Sequence, residues 1–153
     1  MKHLLIVYHS KTGNTQKLAE AVLKGAQDKE VTEVEVRYLQ APEAGPDDLR
    51  WADGLLLGTP ENFGYMSGMM KDFLDRTYYE VEGELQALPY AIFISAENDG
   101  SGAVNAIQRI ANGYPFVEVH EALIAKGEVT DEHLQACREL GLTLAAGLEA
   151  GIF

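Results

Sequence analysis

The stretch HLLIVYHSKTGNT, residues 3–15, decides how this chain folds. Its first half, His3 to Tyr8, is a short apolar run, which is typical of a strand buried on both faces of a parallel sheet. A polar loop containing Gly13 follows, and residues 18–25 then place apolar side chains at helical spacing. A strand, a tight loop and a helix in this order predict the start of an α/β domain.

The same alternation continues along the rest of the chain. Further β-rich apolar runs lie at Val34 to Leu39, Leu55 to Thr59, Tyr90 to Ser95 and Phe116 to about Ile124. Helical spacing of apolar residues covers 70–77 and 103–111, and the last helix begins at Thr130. We therefore predict a three-layer α/β/α sandwich with a doubly wound, five-stranded parallel sheet, built as one domain over residues 1–153.

Charge and cysteine content exclude several classes of protein. The chain carries 24 acidic and 12 basic residues, giving a formal net charge of -12, which argues against binding nucleic acid or an anionic membrane surface. An acidic surface does suit the docking of basic partner proteins. The single cysteine, Cys137, excludes an internal disulfide framework and zinc sites built on several thiolates. With no visible signal peptide or membrane span, we expect a cytoplasmic protein.

Ligands of doubly wound sheets bind beyond the carboxyl ends of the strands, so three loops are the candidate site. The first loop is rich in hydroxyl and amide donors and leads directly into a helix, whose first N–H groups lack partners. Together they predict an anion cradle suited to a phosphate, although the same residue types are also ordinary helix caps. The residues concerned are Ser10, Thr12, Gly13, Asn14 and Thr15.

The second and third loops differ in character. The second, GTPENFGYMSG at 58–68, carries two aromatic residues, Phe63 and Tyr65, and suits a flat heterocycle. The alternative is that these rings pack as ordinary core against the next helix. The third, SAENDGSG at 95–102, is polar and glycine-rich, and its Asp99-Gly100 pair is also a plain turn signal.

These residues together resemble a known family. The first loop, the run GTPENFGYMSGMMKDFLD at 58–75 and the order of helices and strands are similar to those of the flavodoxin-like FMN proteins. The nearest resemblance is to the NAD(P)H-dependent FMN reductases and the WrbA-type NAD(P)H:quinone oxidoreductases. The resemblance implies a parallel sheet of strand order 2-1-3-4-5 and one non-covalent FMN. It implies no catalytic side chain and no metal, since the flavin carries the chemistry.

The resemblance also assigns roles residue by residue. The phosphate would be held by Ser10, Thr12, Gly13, Asn14 and Thr15. The isoalloxazine ring would be bordered by Thr59, Pro60, Glu61, Asn62, Phe63 and Gly64. Its other side and its pyrimidine edge would be met by Ser95, Ala96, Asn98, Asp99, Gly100 and Gly102. The chain departs from the WrbA-type pattern at Asn62, where those proteins carry Arg, and it lacks their insertions.

Two functions remain open at this level. The first is an enzyme that takes electrons from NADH or NADPH through FMN and reduces a quinone or a free flavin. The second is a flavodoxin-type carrier, which moves single electrons between proteins and docks basic partners through its acidic surface. The second loop favours the enzyme and the net charge favours the carrier. A homodimer is compatible with either.

Overall fold

The computed structural model of the protein describes residues 1–153. Its strands are β1 (Lys2–Tyr8), β2 (Val34–Gln40), β3 (Gly54–Asn62), β4 (Tyr65–Met66), β5 (Leu88–Ala96), β6 (Phe116–Glu118) and β7 (Leu123–Lys126). Its helices are α1 (Asn14–Ala26), α2 (Pro46–Trp51), α3 (Gly68–Val81), α4 (Ser101–Ala111) and α5 (Asp131–Glu149). The predicted alternation of strands and helices is confirmed. None of these helices has both the length and the apolar character needed to cross a bilayer.

The sheet has the order β2-β1-β3-β5-β6, and β7 also pairs with β5. All pairs within this part of the sheet are parallel. Because β6 and β7 lie in turn along the same edge of β5, they are two halves of one strand position. With that position counted once, the expected order 2-1-3-4-5 is confirmed.

The predicted fifth strand, Phe116 to Ile124, needs a correction because it is interrupted. Glu118 pairs with Tyr90 and Leu123 pairs with Phe93, so the outer segment has more residues to accommodate than β5 has between these pairs. The surplus residues around His120 loop out of the ladder. The strand then resumes and runs past Ile124 to Lys126.

The second loop also differs from the prediction, since much of it is a β-hairpin. Strand β3 continues to Asn62, and β4 returns antiparallel to it, with Asn62 opposite Tyr65. The two residues between them, Phe63 and Gly64, both have positive φ, at 52° and 70°. Positive φ at both central residues defines a turn whose twist matches that of the flanking strands, which is why the hairpin closes here.

Helices cover both faces of the sheet, as the three-layer prediction requires. On one face α1 and α5 pack against side chains such as Leu4 and Ile6 of β1. On the other face α2, α3 and α4 pack against the alternate side chains, such as Leu5 and Val7. Both sets of β1 side chains are fully buried, which explains why this strand is apolar without interruption. The loops at the carboxyl ends of the strands remain outside these two cores.

Candidate functional site

The carboxyl ends of β1, β3 and β5 lie side by side, and their loops enclose one cleft of about 410 Å³. The first loop, the β3–β4 hairpin and the third loop all contribute to its lining. The predicted residues that line it are Thr12, Asn14, Pro60, Glu61, Asn62, Phe63, Gly64, Ser95, Ala96 and Asn98. The predicted residues outside the lining are Ser10, Gly13, Thr15, Thr59, Asp99, Gly100 and Gly102.

The first loop presents backbone donors rather than a ring of hydroxyl groups. Helix α1 begins after Gly13, which is left-handed at φ 102° and caps the helix without a side chain. The N–H groups of Thr12, Asn14 and Thr15 make no hydrogen bond within the protein. The Ser10 hydroxyl accepts hydrogen bonds from the N–H groups of Gly13 and Gln16, both at 3.2 Å, and so braces the loop. Free N–H groups at the positive end of a helix form an anion cradle.

Thr15 connects two of the loops through its side chain. Its hydroxyl oxygen lies 2.7 Å from that of Ser95, at the end of β5, and the Thr15 side chain is buried. The backbone N–H of Thr15 belongs to the cradle, whereas its hydroxyl is already paired. Sequence reasoning could not separate these two roles, because the partner lies 80 positions along the chain.

Two residues beside the cradle, Lys11 and His9, were not among the predicted site residues. Lys11 lines the cleft and brings a cation to it, in addition to the neutral donors predicted for the first loop. Its neighbour His9 is partly enclosed, and the His9 Nδ1 atom is buried without a hydrogen-bond partner. Burial, and secondly the nearby Lys11 ammonium, lower the pKa of His9. A neutral imidazole follows at neutral pH, so Lys11 rather than His9 supplies positive charge here.

The hairpin presents an aromatic ring at the rim of the cleft. The Phe63 side chain is fully exposed at the turn, and Tyr65 is about two-fifths exposed. The alternative that both rings are ordinary core is therefore wrong for Phe63. Thr59 does not reach the cleft, since its buried hydroxyl accepts a hydrogen bond from the Ser67 N–H at 3.0 Å. That bond fastens the two strands of the hairpin near their base.

The third loop combines free backbone donors with a carboxylate. The N–H groups of Glu97, Asn98 and Asp99 make no hydrogen bond within the protein, and the Glu97 side chain is exposed. Asp99 instead accepts a hydrogen bond from the Ser101 hydroxyl at the start of α4. Gly100 caps α4 in the left-handed conformation at φ 84°. Asp99 and Gly100 thus form the entry to the helix, behind the part of the loop that faces the cleft.

A fourth segment was missed. Gly127 lines the cleft, and its N–H donates to the Ala96 carbonyl at 2.8 Å. The apolar run predicted a fifth strand ending at about Ile124, whereas β7 carries the chain on to Lys126 and places Gly127 at the cleft. The sequence does offer a sign of this segment, because a glycine closely follows an apolar run at Gly127. A glycine after an apolar run also marked the first loop.

Comparison with known proteins identifies the family. The sequence model described as NADPH-dependent FMN reductase matches residues 1–131. The chain belongs to this family. Among its relatives, this FMN reductase family member is 34% identical to a flavodoxin of Aquifex aeolicus (strain VF5), over 95% of this chain and 86% of that protein. It is 36% identical to an NAD(P)H dehydrogenase (quinone) of Acidithiobacillus ferrooxidans, over 67% of this chain and 60% of that protein.

A solved structure supports the same conclusion on the fold of this family member. The structure of a flavodoxin from the domain Archaea superposes with a TM-score of 0.84 at 26% identity, covering 96% of this chain and 99% of that one. The flavodoxin-like fold and the resemblance noted from the sequence are therefore confirmed.

Proposed function

We propose that this chain binds FMN in the cleft and transfers electrons from NADH or NADPH to a small flat acceptor, a quinone or a free flavin. The observation that carries the proposal is the meeting, in one cleft, of an anion cradle and an exposed aromatic turn. The cradle consists of free N–H groups at the start of α1 with Lys11 beside it. The turn presents Phe63. A ligand with a phosphate at one end and a flat ring at the other satisfies both.

The residues present fit FMN part by part. Thr12, Asn14 and the N–H groups of the cradle would hold the phosphate, with charge-assisted hydrogen bonds stronger than neutral ones. Residues 60–64 of the hairpin would border the ring. The free N–H groups of residues 97–99 would meet its pyrimidine edge.

FMN supplies the hydride and electron chemistry when it is bound, and the protein binds, orients and tunes it. Backbone N–H groups of the third loop favour negative charge on a neighbouring ligand, whereas the exposed Glu97 carboxylate opposes it. The balance between these N–H groups and the Glu97 carboxylate would determine how readily the bound flavin is reduced. The proposal assigns no side chain as an acid, a base or a metal ligand.

The test is anaerobic mixing of the FMN-loaded protein with NADH or with NADPH, followed by visible absorbance. We expect one or both nucleotides to bleach the flavin, and a benzoquinone added afterwards to restore its colour. Comparison of the two nucleotides assigns the donor. If FMN binds stoichiometrically and neither nucleotide bleaches it, the enzyme proposal is wrong.

A second candidate is a one-electron carrier between proteins. Two observations favour it: the net charge of -12 and the similarity to a flavodoxin over 95% of the chain. A carrier must dock a basic protein, and such steered docking weakens steeply as salt rises. Reduction of a neutral quinone barely responds to salt. Electron transfer to a basic redox protein that is fast only at low salt would favour the carrier.

We place the protein in the cytoplasm, where a nicotinamide donor is available. We also propose a homodimer, with the monomer as the alternative. Sedimentation equilibrium with and without FMN distinguishes the two states.

A further inference from the structure

The β3–β4 hairpin contacts helix α4 through one carboxylate, that of Glu61. The Glu61 Oε1 atom accepts a hydrogen bond from the Gly100 N–H at 3.0 Å, and Oε2 accepts one from the Ala103 N–H at 3.2 Å. The first N–H groups of a helix have no partner inside the helix and lie at its positive end. Gly100, the capping residue, has no side chain to satisfy them. The cap therefore comes from a residue 39 positions earlier in the chain.

A second contact lies next to the first and involves the tip of the hairpin. The Gly64 carbonyl oxygen packs against Gly102, in the first turn of α4, so closely that a Cβ at Gly102 would overlap it. The same Cβ would come within 3.1 Å of Glu61 Oε2. Glycine at position 102 therefore allows the hairpin to close on the helix. The hairpin is held through Glu61 near the end of β3 and through Gly64 in its turn.

These contacts act on the wall of the cleft. Phe63 precedes Gly64 in the turn, and Gly100 follows the loop of residues 97–99. The contacts of Glu61 and Gly64 with the start of α4 therefore also fix the position of Phe63 relative to the third loop. No other side chain makes a hydrogen bond between the hairpin and α4.

We propose that Glu61 is a positioning residue, whose carboxylate fastens the Phe63 turn to the N-terminus of α4 and so sets the spacing between two walls of the cleft. The effect of this spacing on FMN rests on the proposed function. The contact between Glu61 and α4 does not, because it is present in the protein without a ligand. A second consequence follows from the capping. Removal of the carboxylate leaves the N-terminus of α4 open to a small anion, which can take its place.

The first experiment uses the protein without FMN. Amide hydrogen exchange at Gly100 and Ala103 is followed by NMR in wild type, Glu61→Ala and Glu61→Gln. We expect exchange about ten- to a hundredfold faster in Glu61→Ala, since hydrogen bonds to a charged group are lost. Glu61→Gln keeps one acceptor and should be intermediate. Added formate should slow exchange again in Glu61→Ala, since it can occupy the freed helix end.

The matched control is Glu97→Gln, which removes a carboxylate from the same cleft. Glu97 is exposed and its side chain makes no hydrogen bond, so exchange at Gly100 and Ala103 should equal that of wild type. If Glu61→Ala leaves both amides as protected as in wild type, the proposal is wrong. If Glu97→Gln accelerates them as much as Glu61→Ala does, the effect is one of general charge and the proposal is also wrong.

The second experiment measures the affinities of FMN and riboflavin in the same variants. Glu61 acts on the ring side of the cleft, so Glu61→Ala should weaken both ligands by the same factor, about tenfold or more. The ratio of the two affinities should stay at the wild-type value, and formate should restore part of the loss. Accelerated exchange with unchanged flavin affinities would overturn the positioning role. Failure of wild type to bind FMN would instead overturn the proposed function, and the exchange experiment would still decide the Glu61 contact.

Discussion

The hydroxyl oxygens of Thr15 and Ser95 lie 2.7 Å apart, and both side chains are buried. This contact joins the first turn of α1 to the end of β5, and so holds the first loop against the third. Thr12, three residues earlier, is exposed and faces the cleft. We therefore expect two threonines of one loop to have separable roles, Thr15 in the stability of the site and Thr12 in the binding of its ligand.

Substitution of Thr15 by Val should lower the stability of the protein without FMN. The change keeps the shape of the side chain but leaves the buried Ser95 hydroxyl without its partner. An unpaired buried polar group costs about 1–3 kcal/mol. The measurement is urea unfolding, followed by circular dichroism. A midpoint equal to that of wild type would mean that Ser95 finds another partner.

Substitution of Thr12 by Ala is the matched change for binding. The residue is exposed, so stability should stay within about 0.5 kcal/mol of wild type. If the hydroxyl meets the phosphate, FMN affinity should fall by about 1.5–3 kcal/mol, as for a hydrogen bond to a charged group. Riboflavin, which lacks the phosphate, should bind much more weakly than FMN to wild type and equally to both proteins. Equal affinities of wild type for the two ligands would show that the loop only caps its helix.

Substitution of Phe63 in the hairpin turn should raise the stability of the protein and lower its affinity for FMN. Phe63 has a φ of 52°, a conformation that asparagine tolerates far better than a bulky residue. Phe63→Asn should therefore raise the free energy of unfolding by about 1 kcal/mol, while FMN affinity falls because the aromatic contact is lost. Unfolding and fluorescence titration measure the two effects. The comparison variant is Gly64→Ala, which at a φ of 70° should lose about 1 kcal/mol of stability. If Phe63→Asn lowers stability, the turn is not strained at this residue.

Acidification should destabilise the protein through His9. Burial, and then Lys11, lower its pKa below the ordinary 6.5, so the unfolded chain binds this proton more strongly than the folded one. The contribution of His9 to the free energy of unfolding is therefore fully present above pH 6.5. It is lost as the pH falls from there through the lowered pKa of the folded state. His9→Gln should lose less stability than wild type between about pH 7.5 and pH 5. Parallel stability curves for the two proteins would contradict this assignment.

The single thiol should be inert in the folded protein. Cys137 is fully buried on α5, and burial raises its pKa to about 12, despite the opposing effect of Arg138. Since the thiolate is the reactive form, a thiol reagent at about pH 8 should label Cys137 only after denaturant is added. Mass spectrometry of the labelled protein is the measurement. Rapid labelling under native conditions would show that α5 opens locally.

The sequence predicted those features that depend on local pattern. The apolar run from His3 to Tyr8 identified a strand buried on both faces, because every side chain of a central parallel strand meets a helix layer. Glycine and polar residues after β1, β3 and β5 pointed to the loops that line the cleft, because ligands of such sheets bind at the carboxyl ends of the strands. Family resemblance then added the cofactor and the strand order.

What the sequence could not predict were contacts between residues that are distant along the chain. The interruption of the fifth strand around His120 depends on its register against β5, and this interruption carries the chain on to Gly127.

The sequence by itself determined the layers, the strands and the three loops, because spacing and residue type act over a few residues. Only the tertiary structure decided that Thr15 pairs with Ser95, and that Glu61 caps α4 as well as lining the cleft. Both contacts cross between loops that only the side-by-side packing of β1, β3 and β5 brings together. Hydroxyl and carboxylate groups can bond to many partners, so neighbouring residues in the sequence do not show which partner is used. The fold decides this by placing one particular group within hydrogen-bond distance.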